Sequence, residues 1–317
     1  MSDQAVSASA PRIPAVPGVA VALAGLSLLF AVASPGFLTT GNLSNVLVQS
    51  VILLLLALPM TLIIMTEGLD LSMGAVLTLA SLVLALIVVS TQSLTLALLG
   101  ALGVGLVFGL VNGWLIAGLS IPPFVATLGT LGAAQGLALV VSDGQSVVGI
   151  PRFVRLIYSG DTFGIPTPIL IGAGFYALFH ILLYHTRFGT YVCALGGNRD
   201  ALTLAGVAWK RLLVAVYMLG GAMAGVAALL MTARINAGHP TAAIGMEFDA
   251  IAAVALGGTS FDKGNGWLLG TLLGVLTVGV LRNGLNLMAV PSSVQVACIG
   301  ALVIAALLID SLRSARS

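Results

Sequence analysis

Residues 51–91 read VILLLLALPMTLIIMTEGLDLSMGAVLTLASLVLALIVVST, two apolar runs parted by the seam Thr66-Glu67-Gly68-Leu69-Asp70-Leu71-Ser72-Met73-Gly74. But for Glu67 and Asp70, the chain would be apolar for nearly fifty residues from position 43. A helix rises about 1.5 Å per residue, so about 20 apolar residues cross a hydrocarbon layer of about 30 Å. Each run is long enough for that. A charge at the centre of a spanning helix costs about 2.5–3.5 kcal/mol, so ions gathered into a short seam belong between helices. The stretch therefore specifies two spans and a break, and the fold class is an all-α polytopic bundle.

The rest of the chain repeats this pattern. Of 317 residues, 59% are hydrophobic and only 7% are charged, with a mean hydropathy of +1.15. Soluble domains run at about 45–50% apolar and about 25% charged. Apolar runs lie at 17–34, 43–65, 72–91, 94–118, 123–141, 167–184, 212–233, 243–260, 266–282 and 293–309, which predicts ten spans within a range of eight to ten. The third and eighth are the weakest of these. A single membrane domain over 17–312 results, between a disordered tail at 1–16 and a short tail at 313–317. Ala31-Val32-Ala33 has the form of a cleavage site, but the polar leader before it holds only Arg12 as a cation, so an uncleaved first span is expected. If the N-terminus is cytoplasmic, ten spans put Arg12, Arg187, Arg199, Lys210, Arg211, Lys263, Arg313 and Arg316 inside and Arg152, Arg155, Arg234 and Arg282 outside. That bias places both termini in the cytoplasm. The net charge of +2 gives no pointer to nucleic acid. The spacing of Cys193 and Cys298 makes neither a disulfide frame nor a metal site.

Glycines recur every fourth residue at Gly105/Gly109/Gly113, Gly132/Gly136, Gly221/Gly225 and Gly266/Gly270/Gly274. Small residues on one helical face let backbones approach closely in lipid, so these are read as packing positions rather than as a dinucleotide loop. A weak internal repeat accompanies them. Gly109-Leu110-Val111-Asn112-Gly113 precedes Pro122, and Gly279-Val280-Leu281-Arg282-Asn283-Gly284 precedes Pro291. Duplication of this kind is common in transporters with a path between two repeats.

Three seams are candidates for function. In the first, Asp70 and Ser72 can cap the following helix through their side-chain oxygens, and with Glu67 they form a candidate cytoplasmic gate. The second, about 185–211, contains Gly197, Asn198, Arg199, Asp200, Ala201 and Gly206. Asn198 or Asp200 can start a short helix and Gly206 can end it. The third holds Thr259, Ser260 and Asp262-Lys263, read either as a solvated pair or as a tight gating turn; no phosphate-binding loop is present. Glu247 and Asp249 sit near the expected outer end of the eighth span, where a buried ion is a functional candidate. Asn112, Gln135, Asn283, Asn286 and Gln295 suit hydrogen bonding to a hydroxyl-rich solute, or serve as glue between helices. His180, His185 and His239 are scattered, and no hydrolase motif occurs.

At these seams the chain resembles the permease family of bacterial ABC importers for ribose, xylose, galactose and related sugars. Glu67-Gly68-Leu69-Asp70-Leu71-Ser72-Met73-Gly74 is similar to that family's Gly-Gly-Ile-Asp-Leu-Ser-Val-Gly signature. Asn112-Gly113 through Ile121-Pro122-Pro123-Phe124-Val125-Ala126-Thr127-Leu128-Gly129 is similar to its next one. Gly197-Asn198 with Ala201 and Gly206-Val207 resembles its coupling loop; Leu256 to Ser260 and Asn283-Gly284-Leu285-Asn286 also fit. The likeness covers about 40–310. Glu67, where glycine is usual, and Asp262-Lys263 depart from it. The resemblance implies an inner-membrane subunit without enzymatic activity or cofactor. Its implied partners are ABC ATPase subunits, an extracytoplasmic solute-binding protein and a second permease chain, identical or related. A rival reading, an ion-coupled secondary transporter, would use Glu67, Asp70, Glu247 or Asp249 as its relay.

Overall fold

The computed structural model describes residues 18–259 and 264–314. The expected tail at 1–16, Ser260, the Asp262-Lys263 pair and residues 315–317 lie outside the described residues. In chain order the elements are α1 (Gly18–Ala33), α2 (Thr40–Met65), α3 (Met73–Thr91), α4 (Leu94–Ala117), α5 (Pro123–Ser142) and α6 (Arg152–Ser159). A two-residue hairpin, β1 (Asp161–Thr162) and β2 (Ile165–Pro166), then leads to α7 (Thr167–Tyr184), α8 (Arg187–Gly197) and α9 (Arg199–Leu204). The chain closes with α10 (Trp209–Ile235), α11 (Met246–Leu256), α12 (Leu268–Leu287) and α13 (Ser292–Ser314).

Among the described residues, seven helices are long and apolar enough to cross a membrane: α2, α3, α4, α5, α7, α10 and α12. The doubtful third segment is thus a full helix of 19 residues. The expected eighth span is corrected. Helix α11 has 11 residues, about 16 Å, or half a hydrocarbon layer. Gly238, Pro240 and Gly245 precede it, and the chain over 236–245 is held by long-range bonds instead of a helical ladder. Val147 and Gly238 exchange backbone hydrogen bonds, Gln135 donates to Pro240 O at 2.8 Å, and Ala243 N donates to Thr78 Oγ1 at 3.2 Å.

Helices α2, α3 and α10 form the core, with Leu55, Leu56, Leu58 and Tyr217 fully enclosed. Helices α4 and α10 run antiparallel at backbone contact. A methyl on Gly109 would lie 2.5 Å from Tyr217 O, and one on Gly113 would lie 2.7 Å from Val214 Cα. Gly105 and Gly221 face each other more closely still. Gly270 and Gly274 likewise seat α12 against Gly257 and Ala253. The packing role expected of these glycines is therefore observed. Gly132 and Gly136 differ: among the described residues, nothing beyond their own helix backbone lies within 4 Å of where their side chains would be.

The repeat is visible in the backbone. Both α4 and α12 end in a turn containing a left-handed residue, Ser120 (φ 58°) or Ala289 (φ 56°), and a proline opens the next helix. Helix α4 ends at the α8–α9 end of the bundle, beside Arg199, whereas α12 starts there, with Leu268 N donating to the Tyr184 hydroxyl. The two copies are inverted.

Candidate functional site

At the first seam, α2 closes with Gly68 N donating to Ile63 O at 3.0 Å, and the turn places Glu67 at φ 61°, in the left-handed region. Each L residue there costs about 1–2 kcal/mol, which explains why glycine is the easier occupant. Asp70 and Ser72 do not cap α3 in the expected way. Asp70 Oδ1 accepts from Ser72 N at 2.9 Å and from Ser72 Oγ at 2.6 Å, while Ser72 makes no side-chain bond to the first turn of α3. Asn112 Nδ2 donates to Ser72 Oγ at 2.9 Å, and Thr130 Oγ1 donates to Asn112 Oδ1 at 2.7 Å. One buried chain of hydrogen bonds thus ties the seam to α4 and α5. Tyr217 of α10 and Thr127 of α5 both donate to the free carbonyl of Leu69, at 3.4 and 3.3 Å. Asp70 is only 2% exposed, so its end of the seam is an interior joint, while Glu67 is exposed.

The start of α11 meets the start of α3. Glu247 Oε1 accepts from Gly245 N at 3.2 Å, and Oε2 lies against Gly74, where any side chain would collide with it. Both Glu247 and Asp249 are buried. Asp249 pairs with Arg282 of α12. Sequence reasoning treated Arg282 only as an outer charge. The usable signal was that an acid and a base inside apolar segments need each other.

The amides all have partners within the chain. Gln135 holds Pro240, Asn283 exchanges two bonds with Asn42 at 2.9 Å, and Gln295 donates to Asn286 Oδ1 at 2.8 Å and Val290 O at 2.9 Å. With Asn112 bound to Ser72 and Thr130, each is anchored to a wall.

The second seam folds as two short helices. Thr186 caps α8 through Gly189 N at 3.4 Å. Asn198 ends α8 and caps α9, accepting from Ala201 N at 2.9 Å. Gly206, at φ 74°, stops α9: its N–H reaches Thr203 O and the Val207 N–H reaches Leu202 O, a paired closure that satisfies the last carbonyls. Leu202 faces inward, while Leu204 is 90% exposed. The Arg199 guanidinium stacks 4.8 Å over the Trp209 ring. Gly196 lies so close to Met65 O that a side chain would overlap it, which ties α8 to the end of α2. Between these parts opens a cleft of about 280 Å³, walled by Glu67, Gly68, Ser120, Pro122, Arg199, Trp209 and Tyr217 among others. Thr259 of the third seam is buried.

Residues 42–307 match a family model described as the branched-chain amino acid transport system permease component. The chain belongs to that family. Among its relatives, the ribose import permease protein RbsC of Escherichia coli K12 is 38% identical, over 92% of each chain. The D-allose transport system permease protein AlsC of the same organism is 35% identical, over 92% of this chain and 90% of its own. The L-arabinose ABC transporter permease protein AraH of Azospirillum brasilense is 32% identical, over 90% and 85%. No solved structure matches. This family member is a multi-pass inner-membrane permease subunit; it is not an enzyme, and ATP hydrolysis belongs to separate subunits.

Proposed function

We propose that the chain moves a neutral monosaccharide or polyol into the cytoplasm, as the permease of an ABC importer driven by separate ATPase subunits and fed by a solute-binding protein. The observation behind this reading is the α8–α9 knob: a doubly capped helix with an exposed Leu204, joined at Gly196 to the seam that gates the cleft. In this reading the bundle makes ten crossings, the eighth built from the non-helical 236–245 segment and α11, with both termini and α9 on the cytoplasmic face. Gly197, Asn198, Arg199, Asp200, Ala201 and Gly206 transmit ATPase movement, and Glu67, Asp70, Ser72 and Thr259 serve the gate. Asn112, Gln135, Asn283, Asn286 and Gln295 shape the path from its walls. A second permease chain fits against α5, where Gly129, Gly132 and Gly136 meet nothing within 4 Å beyond their own helix backbone among the described residues. The three relatives above are named for ribose, D-allose and L-arabinose, which favours a sugar over an amino acid.

The test is uptake of labelled sugars by proteoliposomes containing the chain with its ATPase and binding protein. Gly206→Pro is expected to abolish uptake while leaving the chain in the membrane. Transport by the chain alone on an ion gradient would refute the proposal.

A further inference from the structure

Helices α2, α7 and α12 enclose an apolar trough of about 230 Å³, lined by Val51, Leu54, Gly172, Ala173, Tyr176 and Val275 among others. It exists because α7 meets α2 at a glycine. A methyl on Gly172 would lie 3.1 Å from Val51 Cγ1, and the small Ala173 beside it leaves the gap open. Ser50 is the one hydroxyl contributed by α2, and it is engaged with Val46 O at 2.7 Å, so the trough offers almost no polar group to an occupant.

Below Tyr176 the same face of α7 changes character. His180 and Tyr184 follow at four-residue steps, which stacks them along one helical face. The His180 ring lies 6.2 Å from Tyr176, 4.8 Å from Tyr184 and 5.6 Å from His185. Tyr184 is fixed by accepting from Leu268 N, and exposed Arg187 opens α8 three residues later. From Tyr176 to Tyr184 is about 12 Å of helix, close to the roughly 15 Å thickness of one leaflet's hydrocarbon. The near end of the apolar trough is thus within one acyl chain's reach of the Arg187 end. No aspartate or glutamate occurs between Phe163 and Arg199, nor anywhere in α2 or α12, so the face is complementary to an anion.

We infer that this face binds an anionic phospholipid of the leaflet on the α8–α9 side. One acyl chain lies in the trough between α2, α7 and α12, and the phosphate is held by His180, His185 and Arg187. Only the assignment of that leaflet as cytoplasmic rests on the function proposed above; the binding itself does not. A second copy of the chain is the poorer occupant, because it would have to bury Arg187 and two imidazoles.

The experiment is native mass spectrometry of the purified full-length chain, titrated with palmitoyl-oleoyl phosphatidylglycerol or phosphatidylcholine. Since a basic residue near anionic lipid adds about fivefold, retention of phosphatidylglycerol is expected to exceed that of phosphatidylcholine by about five- to tenfold. The triple variant His180→Gln/His185→Gln/Arg187→Gln is expected to lose the preference while still binding both lipids weakly. Ala173→Phe, which fills the trough, is expected to weaken both. If the triple variant misfolds, Arg187→Gln alone is read, with a partial loss expected. Equal retention of the two lipids by the unaltered chain would overturn the inference. So would a preference that survives the triple variant, or efficient crosslinking of Ala173→Cys to a second copy in the membrane. These readouts involve no transport, so failure of the importer reading and failure of the lipid site give different results.

Discussion

Substitution of Gly109 by alanine tests the bundle at its tightest seam. The added methyl would lie 2.5 Å from Tyr217 O and 2.7 Å from Met218 Cα, where ordinary contacts begin near 3.4 Å. Helices α4 and α10 must therefore part by about 0.7–0.9 Å, and Gly105 against Gly221 and Gly113 against Val214 would open with them. Overpacking of this kind costs about 1–3 kcal/mol. At about 2 °C per kcal/mol for a chain of this size, the melting temperature should fall by about 2–6 °C. The control is in the same helix: Gly103 has nothing within 4 Å, so Gly103→Ala should melt no lower than the unaltered chain. Because one separation relieves both clashes, Gly109→Ala combined with Gly225→Ala should cost less than the two single changes together. Thermal melting in a mild detergent, followed by intrinsic fluorescence, reads all five proteins. If Gly109→Ala and Gly103→Ala melt within about 1 °C of each other, the close-approach argument is wrong.

The remaining expectations concern the polar joints. Arg282→Met strands Asp249 and should destabilise the chain by about 2 kcal/mol, below the range for fully buried pairs because Arg282 is 42% exposed; adding Asp249→Leu should restore most of the loss in the same melting assay. Glu67→Gly relieves a left-handed residue and should raise stability by about 1 kcal/mol; a lower melting point would mean that the carboxylate itself supports the seam. Asn112→Leu removes a donor to Ser72 and an acceptor for Thr130, at about 1–3 kcal/mol, and should speed hydrogen exchange at residues 68–72 before any other part. Asn198→Ala loses the cap of α9, about 1 kcal/mol, and sugar uptake should drop while membrane abundance stays constant; unchanged uptake would argue against α9 as the transmitter.

Much of this architecture was legible because lipid leaves few alternatives. Long apolar runs with ions at their ends must be helices, and the period-four glycines on α4, α10 and α12 marked where backbones touch. Asn198 and Gly206 were readable as the two ends of α9 because capping and left-handed closure are local chemistry. The shortness of α11 was less visible: Ala242, Ala243 and Ile244 are as apolar as any span, and only long-range bonds, Ala243 to Thr78 and Pro240 to Gln135, hold the backbone there in turns short of a helix. The same holds for Asp70, which accepts from Ser72, itself held by Asn112 and through it by Thr130. A carboxylate among apolar neighbours reads as a surface break until the helices that enclose it are assembled. Glu67 escaped as a strained position because turn geometry, unlike composition, is not written in one residue.

Helix α10 gives this arrangement a lever. Its 27 residues form a rod about 40 Å long that begins at Trp209, directly after the knob, and eight residues further on carries the hydroxyl that holds Leu69 O. A tilt of about 5° about its far end moves Tyr217, about 27 Å from that end, by roughly 2.4 Å, more than a hydrogen bond of 3.4 Å can stretch and survive. A push small enough to leave every helix intact is therefore enough to part α10 from the break between α2 and α3, with Thr127 left to hold Leu69 O.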